Sequence, residues 1–261
     1  MNNVLQDKIA VVTGSAQGLG AAIALAYARA GAHVVLADRI PDTLGELQAK
    51  IEGLGRNALS VAVDIANLES VEACARKAQE QFGRVDILVN NAAIGGPAGP
   101  LWELDPAAWK ETLDINTTGV FYCCRTFLPS MIAQKSGSII TIGSMTGKRP
   151  LLNRTAYATS KLALVGLTRT LAWEVGPYGI RVNLISPGPM EGARLKWVFE
   201  TQAKQEGITV EAARNRMKAN SPLGQFVLPE NVAQAAVFLA SDLSGSTTGE
   251  DLNCSAGICA Y

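Results

Sequence analysis

Apolar residues in this chain fall into short unbroken runs separated by longer stretches with helical spacing. Residues 8–14 form the first run; it is rich in β-branched residues and stops at a glycine. Residues 21–32 follow with the i, i+3, i+4 pattern of a helix and close at Gly31. Residues 33–38 read as a second strand, and 41–55 as a helix with a proline start and a glycine stop. The alternation continues with strand 58–64, helix 68–83, strand 85–92, a long helical region at 105–134, and strand 137–144. It ends with helix 156–179, a sixth strand at 180–188, helix 229–241 and a last strand at 250–257. Strands that are apolar throughout and separated by helices read as parallel strands buried on both faces. The pattern predicts an α/β protein: one doubly wound parallel sheet of about seven strands with helices on both faces. No linker or shift of composition divides residues 1–261, so a single domain is expected. The one irregular stretch is 189–228, which is charged and reads as a mobile loop-and-helix insertion covering the substrate.

Composition narrows the function. Hydrophobic residues make up 48% of the 261 and charged residues 18%, enough to bury a sizeable core. Lys plus Arg equals Asp plus Glu at 23 each, so the electrostatic footprint of a nucleic-acid binder is absent. No apolar run reaches the ~18 residues of a membrane span, and Met1 to Lys8 is too polar for a signal peptide. A cytoplasmic protein is expected. The five cysteines form no CxxC pair and are odd in number, so they read as buried, reduced thiols. With His33 as the single histidine, a metal site or a Ser-His-Asp triad has almost nothing to be built from.

The first strand runs into TGSAQGLG, Thr13 to Gly20. Gly14, Gly18 and Gly20 allow a tight turn and a close backbone approach to phosphate, at a helix start whose N–H groups and dipole favour an anion. Gly14, Ser15, Gln17, Gly18, Leu19 and Gly20 are the candidate pyrophosphate cradle. Asp38 ends the second strand, 18 residues after Gly20, where a carboxylate can accept from a ribose diol. It would repel a 2′-phosphate, and Arg39 is the nearby cation, so NAD is favoured over NADP. The competing reading of Asp38 is a helix cap ahead of Pro41. Asp64 and Ile65, after the third strand, would flank the adenine, and Asn91, after the fourth, would hold the strands apart and face the adenine ribose.

Tyr157 and Lys161 lie four residues apart and therefore share a helix face. Oxidising a secondary alcohol needs a base. A free phenol titrates near ~10 and is a poor one, but a neighbouring ammonium favours the phenolate. Ser144 ends the fifth strand beside that helix and can donate to the substrate oxygen.

Taken together, TGxxxGxG at 13–20, NNA at 90–92, Asn116, Ser144, Tyr157-x-x-x-Lys161 and Pro187-Gly188 resemble the short-chain dehydrogenases/reductases from about residue 5 to residue 257. The resemblance implies a single Rossmann-type domain, usually tetrameric, that moves hydride between an alcohol or carbonyl and a nicotinamide. It gives Lys161 a second role on the nicotinamide ribose and Asn116 a water that links Lys161 to solvent. Pro187, Gly188 and Met190 would lie along the nicotinamide. Two positions depart from the family: Ala93 replaces a usual glycine, and Gly192 a usual threonine that bonds the carboxamide, which shifts that contact to backbone near Pro189 and Met190. Residues at the family's substrate positions are Met145, Thr146, Asn153, Arg154, Met190 and Arg194. Their amide and guanidinium groups suit a small polar or anionic alcohol: a sugar, polyol or hydroxy acid. Arg149 and Arg154 facing water or a subunit boundary is the bland reading. The alternatives are a 3-oxoacyl thioester (acyl-carrier) reductase, and a non-catalytic dinucleotide sensor or scaffold on the same fold. The apolar face within 156–179, with the apolar tail to Tyr261, points to a homo-oligomer, and the family supplies the number four.

Overall fold

Runs that are apolar at every position make strands only when both faces of the sheet are covered. In the computed structural model, which describes residues 3–40 and 43–259, and the backbone alone at 193, 194 and 205, seven strands form one parallel sheet whose central members are covered in this way. They are β1 (Ile9–Thr13), β2 (His33–Asp38), β3 (Ala58–Ala62), β4 (Ile87–Asn90), β5 (Gly137–Ile142), β6 (Ile180–Pro187) and β7 (Asp251–Cys254), in the order 3-2-1-4-5-6-7. Within β1 the alternation of side chains is visible in the packing. Ala10 and Val12 join one core and Val11 the other. The first core is closed by α1 (Gly18–Arg29), α2 (Gly45–Glu52) and α9 (Pro229–Ala240); Tyr27 donates to Ala236 O at 3.2 Å to join α1 to α9. The second is closed by α3 (Leu68–Phe82), α5 (Gly119–Gln134) and α6 (Thr155–Val175). Cys74, Cys123 and Cys124 sit in that second core as free thiols; burial pushes Cys74 and Cys124 up to about 12, so all three stay protonated at neutral pH.

The strand order reverses direction between β1 and β4, the switch point outside whose carboxyl ends sheets of this kind carry a ligand crevice. That crevice positions the site. Two departures from the expected elements bear on it. The helical region 105–134 is not continuous: α4 (Pro106–Leu113) passes through a π-helical turn, Asp114–Thr118, before α5. Residues 189–228, expected as a mobile loop-and-helix insertion with no helix bounds assigned, contain two full helices, α7 (Ala193–Glu206) and α8 (Val210–Ala219). Their charge hides a small private core of Leu195, Phe199, Ala213 and Phe226, with the Phe199 and Phe226 rings 5.5 Å apart. The insertion leaves and returns at one place, because Val227 N donates to Pro189 O and Glu191 N to Val227 O, both at 2.9 Å. The helix expected at 41–55 is observed from Gly45; residues 41 and 42 lie outside the described ones.

Candidate active site

The glycine turn after β1 is built by interlocking backbone. A Cβ on Gly20 would lie 2.0 Å from Gly14 O, and one on Gly14, whose φ is +64°, 2.8 Å from Ala92 Cα. Neither position can hold a side chain without moving the main chain. Gly18, at φ +57°, has open space where its Cβ would be. Gln17 caps α1 without a side-chain hydrogen bond, so the cap side chain does not satisfy the first-turn N–H groups. Open glycine surface over a bare helix N-terminus fits a dinucleotide pyrophosphate. Asp38 ends β2 beside this turn and is half-buried. One oxygen accepts Ala16 N at 2.9 Å and the other Ile40 N at 3.2 Å, so the acid also braces the turn. Arg39, Gln17 and Gly18 are exposed around it. Ser15 is fully buried, with both its N–H and its hydroxyl directed at Ala37 O, and Leu19 packs into the first core. Asn91 ties β4 to β1, donating to Thr13 O at 2.9 Å and Gly14 O at 3.0 Å. Asp64 is exposed at the end of β3, while Ile65 is buried against Gly119.

The proton-handling residues gather beyond β4. Tyr157 and Lys161 project from the first turns of α6. Lys161 is buried, and its ammonium donates to Ile142 O at 2.8 Å and lies 5.9 Å from the centre of the Tyr157 ring. An ammonium out of water is costly unless it is hydrogen-bonded, and Ile142 O answers part of that demand. Ser144 follows β5 and its hydroxyl accepts Thr146 N at 3.1 Å, which leaves the O–H to donate. The tight turn Met145–Gly147 rests directly on α6; a Cβ at Gly147 would meet Leu162 N at 2.9 Å. Lys148 anchors the turn from the other side through the buried Asp251, 2.8 Å away. Asn116 occupies the π-helical turn and is fully buried. Its side chain takes Ile94 N at 2.8 Å, gives to Ile94 O at 3.0 Å, and gives to Ser160 Oγ at 3.1 Å. Ser160 in turn donates to Tyr157 O. The Tyr157 ring and the Lys161 ammonium thus lie beside the end of β5, which Ser144 follows, and Gly188 N meets Cys254 O at 2.9 Å just past the end of β6.

The sequence profile of the family described as enoyl-(acyl carrier protein) reductase matches residues 14–259. A short chain dehydrogenase/reductase of Aspergillus oryzae is 38% identical over 256 residues, 97% of this chain and 95% of the relative. This chain belongs to the short-chain dehydrogenase/reductase family. Cis-4-hydroxycyclohexanecarboxylate dehydrogenase of Sinomonas cyclohexanicum is 35% identical, with 95% of each chain covered. The crystal structure of NAD+-bound xylitol dehydrogenase superposes with a TM-score of 0.93 at 31% identity, over 97% of this chain and 99% of that one. Neighbours solved with NAD and with NADPH both superpose at a TM-score of 0.93. Membership makes the protein an oxidoreductase on a dinucleotide-binding fold acting on a small molecule. Among the described residues, no helix is long and apolar enough to cross a membrane.

Against that family frame, the residues expected at the substrate divide. Met145 is half-buried and Thr146 buried on the turn after Ser144. Met190 forms a bridge with Val227 at the base of the insertion and packs on the first core. The Arg194 side chain lies outside the described residues. Asn153 has a left-handed backbone, φ +62°, a conformation asparagine tolerates, and its carbonyl accepts Gly99 N at 3.0 Å. Arg154 is half-buried. It donates from Nη2 to Gly95 O at 2.6 Å and lies over the Tyr157 ring at 5.5 Å. Arg149 is exposed and reaches Ile258 O at 3.4 Å. Two contributors escaped the sequence reading. Thr13 accepts both Asn91 N and Ala92 N, at 3.0 and 3.1 Å, and Ser160 bridges Asn116 to α6. Ser160 could have been found from its spacing, three residues after Tyr157 and just before Lys161.

Proposed function

We propose that this chain is an NAD-dependent dehydrogenase that interconverts a small polar or anionic secondary alcohol with its carbonyl. The observation that supports it is the Lys161 ammonium held between Ile142 O and the Tyr157 ring, at the end of the strand that Ser144 follows. A bound nicotinamide supplies the hydride-accepting carbon. Ser144 donates to the substrate oxygen and orients it, and Tyr157 takes the hydroxyl proton. Lys161, with three N–H donors, stabilises negative charge on the phenol and holds the ribose hydroxyls. Asn116 keeps that end of the crevice in register. The preference for NAD rests on Asp38 and on the lack of a cation at residues 15–17. Substrate class rests on relatives named for a hydroxycyclohexanecarboxylate and for xylitol. Helices α7 and α8 cover the substrate, hinged where Pro189 and Val227 pair.

The protein is further proposed to be a cytoplasmic homotetramer. Exposed apolar side chains on α5 and α6, Phe121, Leu162 and Trp173, support self-association, and the free cysteines suit a reducing compartment. The experiment is a panel of hydroxy acids, polyols, a 3-hydroxyacyl thioester and a steroid, each with NAD and NADP, followed at the reduced-nicotinamide absorbance. Turnover of the thioester alone with NADP replaces this reading by the 3-oxoacyl thioester reductase, the activity for which a relative from Thermotoga maritima is named. Cofactor binding without any turnover makes the protein a sensor. Sedimentation of a monomer ends the tetramer.

A further inference from the structure

We propose that Arg154 is a positioning residue for the Tyr157 phenol, and that it works by joining the ring to the loop that follows β4. The proposal rests on the reading of Tyr157 as the proton-transfer group. Its observations are two contacts made by one side chain. Arg154 Nη2 donates to Gly95 O at 2.6 Å, and the guanidinium carbon stands 5.5 Å from the centre of the Tyr157 ring. A guanidinium is flat: it can lie against an aromatic face while its in-plane N–H groups reach a carbonyl. A lysine ammonium has the charge but not the plane. Arg154 is also the residue before α6 begins, with φ −128° and ψ 30°, so helical geometry does not dictate its direction; the contacts do.

The loop it grips is fixed at successive points by residues of the active site. Asn116 holds both the N–H and the C=O of Ile94, Arg154 holds Gly95 O, and Asn153 O holds Gly99 N. Gly96, at φ +64°, lies so close to α4 that a Cβ would come 2.7 Å from Thr112 Oγ1. The loop therefore cannot move without disturbing Arg154, and Arg154 cannot swing toward a substrate anion without releasing both the loop and the ring. With Lys161 Nζ 5.9 Å from the same ring, Tyr157 lies beside two cations. Both attract the ring, and both stabilise the negative charge of the phenolate, the form that accepts the substrate proton and is left when the phenol gives one. The position of the phenol oxygen is thereby set from the start of α6 as well as from one turn along it.

The test uses Arg154→Met, Arg154→Gln and Arg154→Lys in the full-length enzyme, with NAD and with one neutral polyol and one carboxylate-bearing substrate from the panel. Arg154→Met is expected to lower kcat about 10–100-fold on both substrates, a share of the ~10²–10⁴ that a placed acid–base group supplies. KM and the NAD dissociation constant, by titration calorimetry, should stay within about twofold, since neither ligand is held by the guanidinium. Arg154→Gln keeps a donor for Gly95 O without the cation, and carries the test should the Met variant fold poorly; its kcat should fall to a similar degree. Arg154→Lys should recover no more than about threefold over the Met variant, because charge without the planar fork cannot make both contacts. A rise in KM confined to the carboxylate substrate, with kcat unchanged, makes Arg154 a substrate receptor and overturns the proposal. Full recovery by lysine, or wild-type kcat in both Arg154→Met and Arg154→Gln, overturns it as well. Tyr157→Phe separates the two levels: if that variant turns over normally, the reading of Tyr157 has failed; if it is dead while Arg154→Met is not impaired, only the present proposal has.

Discussion

Replacing Asn116 removes the side chain that holds both polar groups of one peptide residue. Its Oδ1 accepts Ile94 N–H at 2.8 Å, and its Nδ2 donates to Ile94 O at 3.0 Å and to Ser160 Oγ at 3.1 Å, with the side chain fully buried. Alanine at this position leaves the Ile94 N–H and C=O without those partners. Each orphaned buried polar group costs ~1–3 kcal/mol, so the pair costs ~2–6 kcal/mol, and water entering the vacated space brings the net toward the lower half, about 3 kcal/mol. In a domain of this size 1 kcal/mol moves Tm by ~2–4 °C, so Asn116→Ala should unfold about 6–12 °C below wild type. Calorimetry at one fixed protein concentration measures this without interference from self-association. Asn116→Asp is the sharper perturbation. It is almost the same size and keeps an acceptor for Ile94 N–H, yet it sets a carboxylate oxygen against Ile94 O where a donor stood. If hydrogen bonding governs, Asp loses at least as much as Ala; if side-chain volume governs, Asp is benign. An Asp variant within about 0.5 kcal/mol of wild type would refute the reasoning.

Three further outcomes are expected. Gly20→Ala would set a Cβ 2.0 Å from Gly14 O and 2.6 Å from Asn91 Nδ2, so NAD affinity by calorimetry should fall more than about tenfold; unchanged affinity refutes the interlocked turn. Asp38→Ala removes the carboxylate proposed to face the ribose and the acceptor for Ala16 N; the NAD-to-NADP ratio of kcat/KM should drop at least about tenfold, and an unaltered ratio removes Asp38 from cofactor choice. His33 is held below the usual imidazole range, first by burial and then by the Arg56 guanidinium, with Asp7 pulling the other way. Its folded value is depressed, so its contribution to stability is present above the unfolded value of ~6.5 and is lost as pH falls through the folded one. Because it is the single histidine, His33→Gln should flatten the decline of the urea midpoint as pH falls below about 6.5; an identical slope in the variant is the contrary result.

The order of elements was legible because strands such as IAVVT and ILVN are buried at every position, which leaves little ambiguity between a covered strand and a loop. The glycine spacing was legible because Gly14 and Gly20 touch backbone, a demand no other residue meets. The Tyr157–Lys161 pair was legible because helical periodicity alone puts it on one face. The break at Asp114–Thr118 was not. It is tied to a side chain reaching Ile94, 22 residues away, and no local propensity records that. Helix α7 did leave a signal: Leu195, Phe199 and Ala203 recur every four residues and are all buried, but a lysine- and glutamate-rich surround masked so narrow a stripe.

Arg154 shows a different kind of limit. Its residue type states what it can recognise, a planar acceptor or an aromatic face, and a substrate carboxylate satisfies that description as well as a backbone carbonyl does. What decides between them is which acceptor is held in reach. Gly95 O is held there by Asn116 on one side and by the contact between Asn153 O and Gly99 N on the other. A substrate anion would have to displace an acceptor that is already fixed in place, and to do so while lifting a cation off the Tyr157 ring. The loop after β4 is thus part of the proton-handling apparatus although it contributes no acid or base to it. By the same chain of contacts, substitutions between residues 94 and 99 that touch neither cofactor nor phenol should act on kcat, and through Arg154.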